Sequence, residues 1–146
     1  MPLVRADLHN HSCLSPCGRL DLSPAVLARR ARDRGLDLVA LTDHNSARNA
    51  PAFRACCRRE GLAALYGVEA TSAEEAHVLA LFATVEESLA FSEFLQGHLP
   101  RLPYDPRLLG DQAVVDAEDN VLDLPVLYLG AANGTTANVR NAGMKA

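Results

Sequence analysis

The chain has 146 residues, 49% hydrophobic and 22% charged, which is enough for one domain with a real core. A formal net charge of −4 and a pI near 5.7 give no basic footprint for a nucleic-acid backbone, and Arg29, Arg30, Arg32 and Arg34 read as the solvated face of one helix. No segment approaches the length needed to cross a bilayer, and Met1 to Arg5 run into a candidate strand without an apolar signal region. The expectation is a cytoplasmic protein whose four cysteines are reduced.

In chain order, Leu3 to Leu8 reads as a short apolar strand. Ser23 and Pro24 mark a helix start, as N-cap and first helical residue, and Ala25 to Arg34 is a helix closed by Gly35. Leu36 to Leu41 is a buried-strand run, followed by a loop through Asn45 to Asn49, where Asn45 and Ser46 are placed to cap a helix or to touch ligand. A second helix from Pro51 to Glu60 ends at Gly61, and Leu62 to Tyr66 is a third strand, with Gly67 permitting a tight passage into a loop. This βαβαβ order predicts a parallel sheet with right-handed crossovers.

His77 to Phe82 is a fourth strand, and Thr84 with Glu87 forms a capping box for a helix reaching Gln96 and Gly97. Beyond it, His98 to Gly110 carries three prolines, and Ala113 to Asp116 pairs with Val121-Leu122 as a hairpin turning at Glu118, Asp119 and Asn120. The expected organisation is one domain over residues 1–129 and a flexible tail over 130–146, which has no apolar period. Cys56 and Cys57 read as buried thiols within the second helix.

Four of the five histidines gather with carboxylates at strand ends: Asp7-Leu8-His9-Asn10-His11, Thr42-Asp43-His44, and Gly67-Val68-Glu69 followed by His77. Side chains two apart on a strand share a face, so His9 and His11 can turn both imidazoles to one ion. His44 and Glu69 follow at intervals of about one βα unit, at the carboxyl ends where parallel α/β folds assemble their sites. His77 instead opens its strand, so either that boundary is displaced or the strand curves into the site. Imidazole with carboxylate suits Zn²⁺, Mn²⁺ or Fe²⁺, and a Glu between imidazoles can bridge two ions. Asp7 and Asp43 are candidates to hold the ligand imidazoles from behind, or are structural carboxylates at the strand ends. Arg48, in the loop after His44, is the candidate to bind a substrate phosphate.

The ordered set resembles the polymerase and histidinol phosphatase (PHP) domain family of metal-dependent phosphoesterases. Asp-Leu-His-Asn-His-Ser is similar to its first motif, Leu-Thr-Asp-His to its second, Gly-Val-Glu to its third, and His77 with the strand it opens to its fourth. The resemblance covers residues 5 to 82. It implies an α/β fold of parallel βα units, part of a distorted (β/α)₇ barrel, holding two or more divalent ions on His9, His11, His44, Glu69 and His77. His44 and Glu69 stand at the implied catalytic centre. Where the family often has an acidic or histidine ligand after His-x-His, this chain has Ser15-Pro16-Cys17-Gly18, which makes Cys17 the candidate and favours zinc.

The implied activity is hydrolysis of a phosphomonoester or phosphodiester by metal-activated water, on a phosphorylated small molecule or nucleotide. The family's two later ligand segments, of Ala-His and Asp-x-His type, have no counterpart after His77. The alternative function is therefore a catalytically reduced metal-binding or interaction domain of the same origin. Half a barrel leaves an unpaired sheet edge, so a homodimer that completes barrel or site is one expectation, and a tail from Gly130 that replaces the missing half is another. A redox or zinc module built on Cys13 and Cys17 is weaker, because Cys-x₃-Cys lacks a second thiol pair at ligand spacing.

Overall fold

The computed structural model of the chain describes residues 3–132. Among them, β1 (Ala6–Asp7), β2 (Leu38–His44), β3 (Ala63–Thr71) and β4 (His77–Phe82) form a sheet in that spatial order. β1, β2 and β3 run parallel. They are linked through α1 (Pro24–Asp33) and α2 (Ala50–Glu60), as the alternating strand and helix signals predict.

The helix signals hold in detail. Ser23 Oγ accepts from Val26 N at 3.3 Å at the start of α1, and Gly61 closes α2 with φ of 72°. α3 (Val85–Gln96) opens on the expected capping box, in which Thr84 and Glu87 bond each other's backbone N–H. The helices bury apolar stripes against one sheet face: Ala28 and Ala31 from α1, Phe53, Cys56 and Cys57 from α2, and Phe91 and Leu95 from α3 meet Val39, Leu41, Tyr66, Val68 and Phe82. By strand alternation, Thr42, His44, Gly67, Glu69, His77, Leu79 and Leu81 belong to the opposite face. That face is less covered, and Leu79 and Leu81 are exposed.

Three strand expectations are corrected. β1 is far shorter than Leu3 to Leu8, because Leu3, Val4 and Leu8 have nothing to bury against and are exposed. β2 and β3 run past their apolar stretches, since pairing from Thr42↔Gly67 to His44↔Glu69 carries polar residues into the ladder. Gly67 is accordingly mid-strand, and a Cβ there would lie 2.6 Å from Ala80 O and 2.8 Å from Leu81 Cδ2, so its role is close approach rather than a turn.

The fourth strand explains His77. β4 is antiparallel to β3, with Thr71 opposite His77 and Glu69 opposite Leu79. A strand that doubles back begins where its neighbour ends, so His77 opens its strand and still lies at the carboxyl end of the parallel strands.

The remaining segment packs on the sheet's flank. It contains α4 (Pro106–Leu109), a short helix that the proline-rich stretch did not suggest, and the expected hairpin, β5 (Val114–Val115) with β6 (Val121–Asp123). Buried amides hold it. Asn45 Nδ2 donates to Leu129 O at 2.6 Å and Ala131 O at 2.8 Å. Asn49 donates to Ala113 O at 3.1 Å and accepts from Val115 N at 3.0 Å. Gln112 accepts from Leu129 N and donates to Leu127 O. Asn45 thus ties chain segments together instead of capping α2, whose N-cap Asn49 also makes no side-chain capping bond. Of the expected tail, Gly130 to Ala132 are described and Ala131 is buried; residues 133–146 lie outside the described residues.

Candidate metal centre

At the carboxyl end of the sheet, Glu69 sits with its side chain 6% exposed, between four imidazoles. Its Oε2 lies 3.0 Å from both His9 Nε2 and His11 Nε2, and 3.7 Å from His44 Nδ1. Its Oε1 lies 2.7 Å from His77 Nδ1. His9 Nε2 and His11 Nε2 are 3.1 Å apart, and the His11 and His44 rings stack at 4.7 Å between centroids. The five residues that the motifs single out therefore form one cluster.

Three overlapping groups have ligand atoms close enough to share an ion: His9, His11 and Glu69; His44, Glu69 and His77; and His11, Cys17 and His44. Cys17 is brought in by the loop between β1 and α1. That loop folds tightly, with Ser15 N on Ser12 O at 3.1 Å and Gly18 N on Ser15 O at 2.8 Å. A Cβ at Gly18 would fall 2.1 Å from Ser12 O, so only glycine lets the loop close.

The donors fit a divalent cation. Metal–nitrogen bonds of ~2.0–2.1 Å in a tetrahedral site put neighbouring donors roughly 3.3 Å apart, and the His9, His11 and Glu69 atoms form a triangle of 3.0 to 3.1 Å sides. Among the described residues His44 Nδ1 is buried without a hydrogen-bond partner, an orphan that a cation would satisfy. Burial first, and then the neighbouring His44, lower the His11 pKa to about 4, so this imidazole is neutral at pH 7 and needs no deprotonation to ligate. Burial likewise lowers that of His44. For Glu69, burial works to raise the pKa, but the hydrogen bonds with His9 and His77 lead the influences that outweigh it and hold the carboxylate below its ordinary value.

The supporting residues depart from expectation. Asp43 is fully buried and touches no imidazole. It accepts from Ser12 N at 2.7 Å, Ser12 Oγ at 2.6 Å and Ser15 Oγ at 2.8 Å, and its desolvation raises its pKa to about 6. Ser15, which no motif reading singled out, carries the link onward, with Oγ 2.9 Å from His11 Nδ1 and 3.0 Å from His44 N. Its sequence signal was faint: a small hydroxyl residue four after His11, in the turn before Pro16. Asp7 is exposed and accepts from His9 N at 3.4 Å, so its contact is with backbone rather than an imidazole. Arg48 does not face the cluster through any of its contacts, because its guanidinium pairs with Asp123 of β6 at 2.6 Å and lines a cavity with Gln96, Leu99 and Val126. The expected phosphate-binding role therefore has no support at that position. All four cysteines are free.

Comparison with known proteins agrees with this geometry. Residues 7–120 match the family model of the PHP domain. No curated protein matches. Among solved structures, a candidate metal-dependent phosphoesterase from Bifidobacterium adolescentis aligns with TM-score 0.52 and 25% identity, over 66% of this chain and 35% of that one. An amidohydrolase from Chromobacterium violaceum, solved with sulfate and no metal, aligns with TM-score 0.51 and 27% identity, over 64% and 34%. The chain thus spans about a third of the length of these structures, and its sheet corresponds to part of a barrel. With the family model matched from the first motif through β5 and the turn that follows it, the chain belongs to the PHP domain family.

Proposed function

We propose that the cluster binds two or more divalent ions, Zn²⁺, Mn²⁺ or Fe²⁺, and that the chain is a metal-dependent hydrolase acting on phosphomonoesters or phosphodiesters of a small molecule or nucleotide. The observation that carries this reading is the placement of Glu69, whose two oxygens face different imidazoles, Oε2 toward His9 and His11 and Oε1 toward His77. A carboxylate so placed is suited to bridge two ions. Divalent ions at such a site supply Lewis acidity to a phosphoryl oxygen and lower the pKa of a coordinated water. The chain's own residues hold the donors in place: Glu69 fixes His9 and His77, while His11 and His44 stand neutral against the buried loop. Cys17 adds a thiol donor that favours zinc, and its use as a ligand supports a reducing, cytoplasmic location. No helix among the described residues is long and apolar enough to cross a membrane.

Metal analysis of purified protein, together with hydrolysis of an aryl phosphate by wild type and His44→Ala, tests the proposal. Stoichiometric metal and activity that the substitution abolishes are expected. Protein that takes up neither Zn²⁺ nor Mn²⁺ would sink it.

A second reading is favoured by the openness of the site. The side chains of His9 and His77 are 48% and 50% exposed, and among the described residues β1 and β4 are the edge strands of the sheet. On this reading the chain is a metal-binding domain of reduced catalysis, completed by a homodimer or another partner across the open side. Metal binding without hydrolysis, together with dimers in sedimentation, would favour it.

A further inference from the structure

We infer that Ser15 is a positioning residue for the metal centre: its hydroxyl holds the hydrogen of the His11 imidazole on Nδ1 and so leaves the Nε2 lone pair directed at the cluster. The inference deepens the metal-binding proposal and rests on it for its consequence, though not for its geometry.

The argument is a count of hydrogens. A serine hydroxyl has one hydrogen to give and two lone pairs with which to accept. Ser15 Oγ has three partners: Asp43 Oδ1 at 2.8 Å, His44 N at 3.0 Å and His11 Nδ1 at 2.9 Å. The His44 backbone N–H can only donate, and it occupies one lone pair. If Asp43 is the acceptor of the hydroxyl hydrogen, the single place left is the second lone pair, and His11 must fill it as an Nδ1–H donor.

As a carboxylate Asp43 can only accept, and its surroundings supply it with donors. Ser12 Oγ receives Leu14 N–H at 3.2 Å and the Asn49 amide at 2.9 Å. Both its lone pairs are thereby used, and its own hydrogen goes to Asp43 Oδ2 at 2.6 Å. Asp43 Oδ1 receives Ser12 N–H at 2.7 Å. The two serines thus stand in the same relation to the one carboxylate, each accepting twice and donating once. Directions propagate from backbone amides that cannot reverse, through Asp43 and Ser15, to the imidazole.

The consequence lies on the other side of the ring. With its hydrogen on Nδ1, His11 turns Nε2 to the cluster, 3.0 Å from Glu69 Oε2 and 3.1 Å from His9 Nε2, where a cation would replace those contacts. Holding the ring in the ligating tautomer is the part of an outer partner, and losing such a partner typically weakens metal affinity ~10–100-fold.

The test reads the tautomer directly. Long-range ¹H–¹⁵N correlation spectra of metal-free protein labelled at histidine nitrogens, assigned with His11→Gln, are expected to show His11 protonated at Nδ1 and bare at Nε2. In Ser15→Ala the ring is expected to shift to a mixture or to the Nε2–H form, and Zn²⁺ affinity measured by calorimetry is expected to fall ~10–100-fold. An Nε2–H tautomer in wild type overturns the assignment with no variant needed, so misfolding of Ser15→Ala does not protect it. An unchanged tautomer and unchanged affinity in a folded Ser15→Ala also overturns it. Wild type that carries the Nδ1–H tautomer yet binds no Zn²⁺ overturns the metal reading and leaves the hydrogen-bond assignment standing.

Discussion

The candidate metal centre has two unlike walls. His11 and His44 form the inner one, stacked on each other and backed by Ser15, Ser12 and Asp43, all three buried. His9 and His77 form the outer one, about half exposed, and their ring nitrogens meet the rest of the site through Glu69 and, for His9, His11. The inner pair is placed by the fold before any ion arrives, because His11 Nδ1 and the His44 backbone N–H both rest on Ser15 Oγ, which the buried Asp43 carboxylate holds in turn. The outer ligands depend on Glu69 and on whatever Glu69 helps to bind. Half of the site is thus preorganised, and half is adjustable from the open side of the sheet.

The sharpest way to break this contrast is to remove the anchor of the inner wall. Asp43→Ala strands Ser12 N, Ser12 Oγ and Ser15 Oγ in a dry pocket, at ~1 kcal/mol or more for each lost acceptor, so a loss of about 3 kcal/mol is expected in urea unfolding of metal-free protein. His9→Ala leaves that pocket intact and is expected to change stability by less than ~0.5 kcal/mol, as at an ordinary surface position. Equal losses would mean that the two walls are not different in kind.

Next in size is the connection from the inner wall to the carboxyl-terminal segment. Asn49 bonds Ser12 Oγ, Ala113 O and Val115 N together, so Asn49→Ala is expected to cost about 2 kcal/mol and to raise hydrogen exchange in residues 113–115. Metal affinity then separates the walls more finely. His11→Ala should weaken Zn²⁺ binding by more than ~100-fold, beyond what an outer partner contributes. His9→Ala should weaken it by roughly tenfold, about 1.4 kcal/mol, since water can enter the exposed position. The reverse order, measured by calorimetry, would place the preorganised wall on the other side.

How much of this was legible in the sequence follows from the kind of signal each feature leaves. The βα grammar was readable because capping at Ser23 and Thr84 and the stops at Gly35 and Gly61 are local. The cluster was readable because imidazoles and a carboxylate at strand ends are rare residues in a repeated context. The reversal at residues 72–76 was not, since nothing in the apolar run of β4 encodes whether its neighbour is parallel. Nor were the tasks of Asn45, Asn49 and Ser15, because a buried polar side chain takes its meaning from partners as far away as Ala131. The partner of Arg48 was hidden for the same reason, since Asp123, with which its guanidinium pairs, lies 75 positions on.

The smallest effect is the most specific to the inner wall. His11 has a folded pKa of about 4, below its ordinary 6.5, so the unfolded chain takes up this proton first as pH falls. Its contribution is present above pH 6.5 and is lost as pH falls toward 4. Asp43 runs the other way. Its folded pKa of about 6 lies above its ordinary 3.8, so its contribution is full below 3.8 and is lost as pH rises through 6. Between pH 6 and 4 the two oppose each other, while His44 and Glu69, both held below their ordinary values, add to the loss on acidification, so the two contributions are read from the differences between variants and wild type in the urea midpoint. Asp43→Asn removes the opposing contribution and should lose stability more steeply on acidification, whereas His11→Asn should lose less than wild type or gain. Three parallel profiles would mean that neither group titrates as its burial dictates, and the inner wall would then be wetter than its geometry describes.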